Sequence, residues 1–413
     1  MLKDYCYESD NTTNLFVGIK FVEGVPKVIF PHGYRIPEDD KECRKDIFRL
    51  IAILQRFTEH NEGDSSTSEN DLITKMPISS YQYLIQDFLT HGYYTEREIR
   101  YIQSLRGKIN WKRTIQQEQA QIDGDNVVYL NFQVKTNQIN TDNLISNIHK
   151  YCVYQSFYRF GWLYFSYDYL PEKPQIKFNK KMFLNVLYDA LNSTFNDAKR
   201  KLFQSMINIV QDQDEEVELD NLAIGVNRFD PIWERMIDFV FGEEDKEQYF
   251  PHATWHIIKN GKIEKSSALE PDTIMKMDDK IYVLDAKYYK YGVTGWTSDL
   301  PATSSIQKQI TYGKRIAEQM NLVDSANVYN AFIMPFASAD DTKLKFVSVG
   351  TADWEEYNCD TLNYAYVLGI LLDTKWLVSS YSKHNESEIE ILADLIEKSL
   401  IEYRTMVGQS LKK

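Results

Sequence analysis

Asp272, Asp285 and Lys287 are the residues of this sequence whose types and spacing most plainly permit chemistry. Asp285-Ala286-Lys287 ends the apolar run Ile281-Tyr282-Val283-Leu284, and Pro271-Asp272-Thr273-Ile274 opens another run thirteen positions earlier. The polar residues 276–280 between them are expected to form a tight hairpin. Antiparallel pairing across that turn would carry Asp272 to the Asp285–Lys287 end. Side chains alternate along a strand, so Asp285 and Lys287 share one face while Leu284 and Ala286 point into the core. Two adjacent carboxylates can hold Mg²⁺ through hard oxygen ligands. Such a metal polarises a phosphate, helps generate hydroxide and stabilises the leaving oxygen. A neighbouring lysine can position the attacking water or offset charge developing on phosphorus. The Ala286 carbonyl could reach the same metal. Spacing alone also fits an exposed strand end carrying an Asp/Lys pair. The apolar strand, the Pro-Asp step and an upstream helix acid, Glu234, favour a site.

The elements that must position these residues form a mixed α/β order. A helix is expected from Asp230-Pro231, with Asp230 as N-cap and Pro231 at the first helical position. Strands are expected at 253–258, 273–277 and 281–287, then a helix at 305–319. Strands at 328–334 and 344–349 follow, with helices at 363–372 and 386–406. In the N-terminal half, strands at 15–19 and 27–30 flank a Gly24 turn, and a helix covers 44–57. Residues 61–71 are a polar linker. Helical periodicity recurs at 79–88 and 96–105. A strand is expected at 127–134, with long helices at 142–160 and 181–210. The acidic run 212–218 closes that half as a solvated loop. Three segments result: an α+β docking or recognition domain at 1–140, a helical connector at 141–220, and a catalytic domain at 221–413.

Composition narrows the function classes. The chain has 413 residues and a formal net charge of −13, so long-range attraction to DNA is absent and any DNA binding needs a local basic surface or a partner. The basic stretch 106–114 is either a solvated strand and loop or a contact to DNA or a charged partner. No apolar run is long enough for a membrane span, and no apolar segment follows Met1-Leu2-Lys3 as in a signal peptide, so a cytoplasmic protein is expected. Cys6, Cys43, Cys152 and Cys359 lack zinc-ligand spacing and read as reduced structural thiols. His252 and His256 are four apart but flank an expected strand and not a helix face, so a structural role is expected. No GxxxxGKS/T phosphate-binding loop and no internal repeat is present.

Pro-Asp followed by an apolar strand ending Asp-Ala-Lys-Tyr is the PD-(D/E)xK nuclease signature. Leu284-Asp285-Ala286-Lys287-Tyr288-Tyr289 resembles the McrC-type subunits of modification-dependent restriction systems and the related LlaJI-type restriction endonucleases. Phe16-Val17-Gly18-Ile19 with Val28-Ile29-Phe30-Pro31-His32-Gly33 resembles the opening of LlaJI-type proteins. Gly107-Lys108-Ile109-Asn110-Trp111-Lys112-Arg113-Thr114 resembles their middle segment, and Lys308-Gln309-Ile310-Thr311-Tyr312-Gly313 resembles the helix after the nuclease core. The resemblance implies a restriction-endonuclease-like core, a central sheet flanked by helices, and an activity: Mg²⁺-dependent endonucleolytic cleavage of double-stranded DNA, with Mn²⁺ able to substitute. It implies that Asp272 and Asp285 ligate the metal, that Lys287 assists attack, and that Glu234 is the helix acid completing the site. Beside Arg235, Glu234 also reads as a solvated helix carboxylate. Gln309 and Tyr312 resemble the Gln-xxx-Tyr element of related nucleases, but the spacing is one residue short and Lys308 takes the usual glutamine position. Tyr288, Tyr289 and Tyr291 could stack on DNA or enter the core. The resemblance further implies a McrB-like AAA+ GTPase partner and a DNA methyltransferase in the same system. Two alternatives stay open: an autonomous Type II enzyme reading its own site, and a non-catalytic scaffold that stimulates a partner NTPase.

Overall fold

The structure, a computed structural model, describes residues 1–10, 15–60, 76–140, 143–165, 169–213, 223–322, 326–338, 344–354, 361–381 and 384–410. The polar linker 61–71 and residues 214–218 of the acidic run lie outside them. The fold is mixed α/β, and among the described residues no helix is long and apolar enough to cross a membrane.

Two compact units divide the chain: Met1–Lys75 with Asp220–Lys413, and Met76–Leu219. The first unit begins with β1 (Cys6–Glu8), β2 (Val17–Val22), β3 (Val25–Phe30) and α1 (Asp40–His60). Glu23 and Gly24 both take positive φ, so β2 and β3 close through the two-residue turn expected there.

The second unit contains α2 (Ile78–His91), β4 (Glu96–Gln103), β5 (Lys108–Ile109), α3 (Trp111–Gln117), β6 (Ala120–Asp123), β7 (Asn126–Tyr129), β8 (Gln133–Asn140), α4 (Leu144–Phe160), α5 (Lys180–Ser193) and α6 (Asp197–Asp212). Residues 96–105, expected to be helical, are instead largely strand β4. Its ladder with β8 runs from Glu96↔Asn140 to Gln103↔Gln133, a long-range pairing that overrides local helical spacing. The strand expected at 127–134 is interrupted: β7 ends at Tyr129 and β8 starts at Gln133. The helix expected at 181–210 breaks at 194–196, where the Asn196 side chain accepts from the Lys199 N–H and caps α6.

Returning to the first unit, the chain forms β9 (Ala223–Val226), α7 (Asp230–Phe241), β10 (His252–Ile257), β11 (Lys262–Ala268), β12 (Thr273–Met277), β13 (Lys280–Ala286), α8 (Tyr291–Thr294), α9 (Thr303–Gln319), β14 (Val328–Phe336), β15 (Phe346–Ala352), β16 (Val367–Asp373), α10 (Thr374–Ser380) and α11 (Glu386–Ser410). β9 pairs antiparallel with β2, with Val17 opposite Val226 and Gly18 opposite Gly225. A Cβ on Gly18 would lie 2.1 Å from the Ile224 carbonyl oxygen, so glycine is required at this close approach. That ladder ties the first strands to the strand just before α7. It is the physical reason why the units cut the chain differently from the consecutive segments 1–140, 141–220 and 221–413.

The sheet that carries the Asp285-Ala286-Lys287 triplet has the strand order β12-β13-β14-β16-β15. β12 and β13 form the expected hairpin: Met277 pairs with Lys280 and Asp278 takes positive φ in the turn. β13, β14 and β16 are parallel neighbours, and all nine residues of β14 are buried. Residues 363–372, expected to be a helix, form a short 3₁₀ turn and then the central strand β16. A short apolar run buried on both faces carries no periodicity that separates strand from helix. On one face Tyr312, Ile316 and Ala317 of α9 pack with Ile274, Ile281, Val283 and Val328. Gly313 permits this approach, since a Cβ there would lie 2.5 Å from the Asn330 Oδ1. On the other face the Tyr282 hydroxyl donates to Glu397 of α11 at 2.5 Å.

Candidate active site

β13 carries the first two members of the triplet to its C-terminal end. The register Thr273↔Leu284 places Asp272 beside Asp285, and the Asp272 Oδ2 accepts from the Ala286 N–H at 2.9 Å. The Lys246 ammonium donates to the Asp272 carbonyl at 2.7 Å and pairs with Asp238 of α7 at 2.7 Å, so the strand start is held from a second side. Asp285 is 2% exposed, and its Oδ2 faces the Lys287 ammonium at 2.5 Å. The Lys287 N–H donates to the Ile333 carbonyl of β14 at 2.9 Å, which extends the parallel pairing one residue past β13 and fixes the lysine backbone.

Glu234 lies one turn into α7. The neighbouring Trp233 is fully buried, and its indole N–H donates to the same Ile333 carbonyl at 3.3 Å. One carbonyl therefore anchors both the lysine and the helix that bears Glu234. The helix starts at Asp230, with Phe229 as its N-cap, one residue earlier than expected. Burial raises the Glu234 carboxyl to about 7, and the charges of Asp272, Asp230 and Asp285 add to this while Lys287 opposes it. Burial likewise raises Asp272 to about 6, with Asp285 adding and the Ala286 N–H and Lys287 opposing. Burial would lower the Lys287 ammonium, but Asp285 and Asp272 outweigh it and the net shift is upward. Glu234, Asp272, Asp285 and Lys287 thus share one electrostatic neighbourhood.

Among the described residues no three His, Cys, Asp or Glu side chains form a ready-made metal cage. The donor set nevertheless fits a hard divalent cation. Its carboxylates are partly buried and mutually repulsive, and Asp285 Oδ2 has the Lys287 ammonium as its close counter-charge but no hydrogen-bond donor in bonding geometry. Asp272 and Asp285 are the first choice as ligands, with Glu234 as a third.

The α9 residues separate cleanly. Gln309 is 1% exposed and donates to the Val283 carbonyl at 2.7 Å, so it braces the helix on β13. Tyr312 is buried in the core beneath it. Lys308, not singled out as a site residue by sequence reasoning, is the α9 side chain that feels the site. Its ammonium lies 5.2 Å from the Tyr312 ring centroid and is drawn upward in pKa by Tyr312, Asp285 and Asp272 against the effect of burial. The signal for it was present: a lysine at the position where related nucleases place glutamine.

Sequence reasoning also missed the role of the N-terminal strands. The His32 N–H donates to the Tyr288 hydroxyl at 2.9 Å, and the two rings lie 3.8 Å apart. His32 Nε2 lies 3.2 Å from the Tyr289 carbonyl, which can only accept, so Nε2 carries the proton. Burial lowers the His32 pKa to about 4, keeping the ring neutral. Phe30-Pro31-His32-Gly33 therefore grips the two residues after Lys287. Tyr288 belongs to the core, while Tyr289 is 37% exposed.

The LlaJI restriction endonuclease family model matches residues 16–369, from the His32 segment through the triplet to β16. The chain belongs to the LlaJI restriction endonuclease family. A relative in Bacillus subtilis (strain 168), named "Type II restriction enzyme BsuMI component YdjA", is 22% identical over 345 residues, covering 79% of this chain and 73% of its own. Among solved structures, a half-complex of Thermococcus gammatolerans McrB AAA+ hexamers with bound McrC aligns over 92% of this chain and 83% of that chain. The identity is 14% and the TM-score 0.35. Membership makes the chain a restriction-system nuclease by family.

Proposed function

We propose that this chain is the Mg²⁺-dependent DNA-cleaving subunit of a restriction system and works with an AAA+ GTPase. The observation that carries the proposal is the gathering of Asp272, Asp285, Lys287 and Glu234 at one end of the central sheet, with their charges coupled. When bound, Mg²⁺ would supply Lewis-acid polarisation of the phosphate and offset the carboxylate charge. Asp272 and Asp285 would hold it, with the Ala286 carbonyl and Glu234 as further oxygen donors. Lys287 would face the scissile phosphate, where its ammonium would orient the nucleophile and stabilise charge on the non-bridging oxygens. Lys308 would hold a second positive charge on the α9 side.

A partner is supported by the surface of the second unit. Leu105, Trp111, Ile115, Ile122, Val127 and Leu130 are all more than half exposed within one short stretch. Exposed apolar side chains gathered in one stretch suit a protein partner. Arg106, Lys108, Lys112 and Arg113 are interspersed with them. A partner that positions the DNA also answers the net charge of −13, because the subunit need not be basic overall.

The relative's name, a component of a Type II restriction enzyme, favours a second reading in which cleavage needs only Mg²⁺ and the target site. The two separate on nucleotide dependence. Purified chain with Mg²⁺ is expected to cut duplex DNA weakly, and addition of a cognate AAA+ GTPase with GTP is expected to raise the rate at least ~100-fold, since positioning alone supplies effects of this size. Site-specific cleavage at full rate without any NTP would overturn the partnered reading.

A further inference from the structure

We propose that the β10–β11 ribbon is a duplex-DNA-binding arm attached directly to the catalytic strand; the proposal rests on the nuclease reading above. Among the described residues β10 and β11 pair only with each other, from His252↔Ala268 to Ile257↔Lys262, and form a two-stranded sheet of their own. No ribbon residue is buried: every one is exposed except Ile257, Ser266 and Ala268, which are intermediate. Trp255 is 69%, Ile263 68% and Ile258, at the tip, 99% exposed. A ribbon with two wet faces buries too little apolar surface to be there for stability.

Its charge is opposite in sign to that of the chain as a whole. Residues 252–268 contain Lys259, Lys262 and Lys265 against the single acid Glu264, an excess of two positive charges in a chain of net −13. Among the described residues none of these three ammonium groups pairs with a carboxylate. The register sets Thr254 opposite Lys265 and Ile257 opposite Lys262, so alternate faces each receive a lysine and Lys259 sits at the tip. The tip is a defined turn: Gly261 takes positive φ, its N–H donates to the Ile257 carbonyl, and the Asn260 side chain accepts from the Lys262 N–H. The major groove of a duplex admits a two-stranded β-ribbon. Cations on both of its faces can reach the phosphates of both groove walls.

Its position suits that use. The Leu269 N–H donates to the Pro251 carbonyl and closes the base of the ribbon. Asp272 follows Ala268 by four residues, a span of at most ~14 Å. A duplex held by the ribbon is therefore held next to the cleaving carboxylates.

The test uses the full chain and a fluorescently labelled duplex in EDTA, so that binding is read without cleavage. Anisotropy is measured across a salt series for wild type, the triple variant Lys259→Glu/Lys262→Glu/Lys265→Glu, Trp255→Ala and Asp285→Asn. The triple variant is expected to bind at least ~10-fold more weakly and to flatten the slope of log K against log salt by about two to three, as loss of that many phosphate contacts requires. Asp285→Asn is expected to bind as tightly as wild type or tighter. Circular dichroism should be unchanged, because the three substituted lysines are exposed. Unchanged affinity and slope in the triple variant overturns the proposal. So does absence of duplex binding by wild type, or a triple variant that loses a protein partner but keeps its DNA affinity. Failure of the ribbon leaves Asp285-dependent cleavage intact, whereas failure of the nuclease reading appears as cleavage indifferent to Asp285.

Discussion

Replacing Lys287 with Met is expected to reduce DNA cleavage by ~10²–10³-fold, the size of effect seen when one preorganised charge donor is removed from a transition state. The same change should lower stability. Asp285 is 2% exposed, and the Lys287 ammonium 2.5 Å away is its counter-charge. Removing one partner of a buried pair typically costs ~3–5 kcal/mol, and the 18% exposure of the lysine side chain places this pair near the lower end. Adding Asp285→Asn to Lys287→Met removes the stranded charge without changing shape. The double variant should regain most of the lost stability in urea unfolding with EDTA present, yet regain no cleavage. This separates the two roles of the lysine. Equal stability of the single and double variants would mean that the pair contributes nothing to folding. Cleavage surviving in Lys287→Met would mean that another cation, such as Lys308, serves the phosphate, and cleavage surviving in the double variant would mean that Asp285 is dispensable as well.

The second large effect is expected at Trp233. Among the described residues it is the largest fully buried side chain, its ring lies 5.9 Å from that of Tyr288, and its indole N–H shares the Ile333 carbonyl with the Lys287 N–H. Trp233→Ala removes the packing and the hydrogen bond together and should cost ~3–5 kcal/mol. In a unit of this size that corresponds to a fall in Tm on the order of 10 °C, read by differential scanning calorimetry. Trp233→Phe keeps most of the volume and loses the hydrogen bond, so about 1 kcal/mol is expected. The Phe variant should show a larger proportional loss in cleavage than in stability, because the anchor of α7 also places Glu234. A Phe variant with full cleavage and reduced stability would show that Glu234 is positioned without this anchor.

The parts of the site that were legible in the sequence are those fixed by local rules. The Asp278-Asp279 turn and the apolar runs on either side set the β12–β13 register, and strand alternation put Asp285 and Lys287 on one face. Misread elements are those decided at long range. β4 was mistaken for helix because Glu, Arg, Ile and Tyr at mixed spacing satisfy helical periodicity, and only the distant β8 makes it a strand. β16 was mistaken for helix because a strand buried on both faces has no polar side to reveal its period. The choice between Lys308 and Gln309 depends on the phase of α9, one residue or 100° apart, which is set by Gly313 against Asn330 and not by the motif itself. The grip of His32 on Tyr288 joins residues 256 positions apart. Nothing local marks it, so the opening strands read as a separate docking domain although they pack beside the catalytic end.

The central claim is that the carboxylates at the end of β13 cut DNA with a divalent metal. Its most direct test is cleavage of supercoiled plasmid by wild type and by Asp285→Asn, each with Mg²⁺ and each with excess EDTA, in the presence of the proposed AAA+ GTPase partner and GTP. Wild type with Mg²⁺ is expected to give nicked and linear product, while wild type with EDTA and the variant under either condition give at least ~10³-fold less. Equal cleavage by Asp285→Asn, or cleavage by wild type that persists in EDTA, would contradict it.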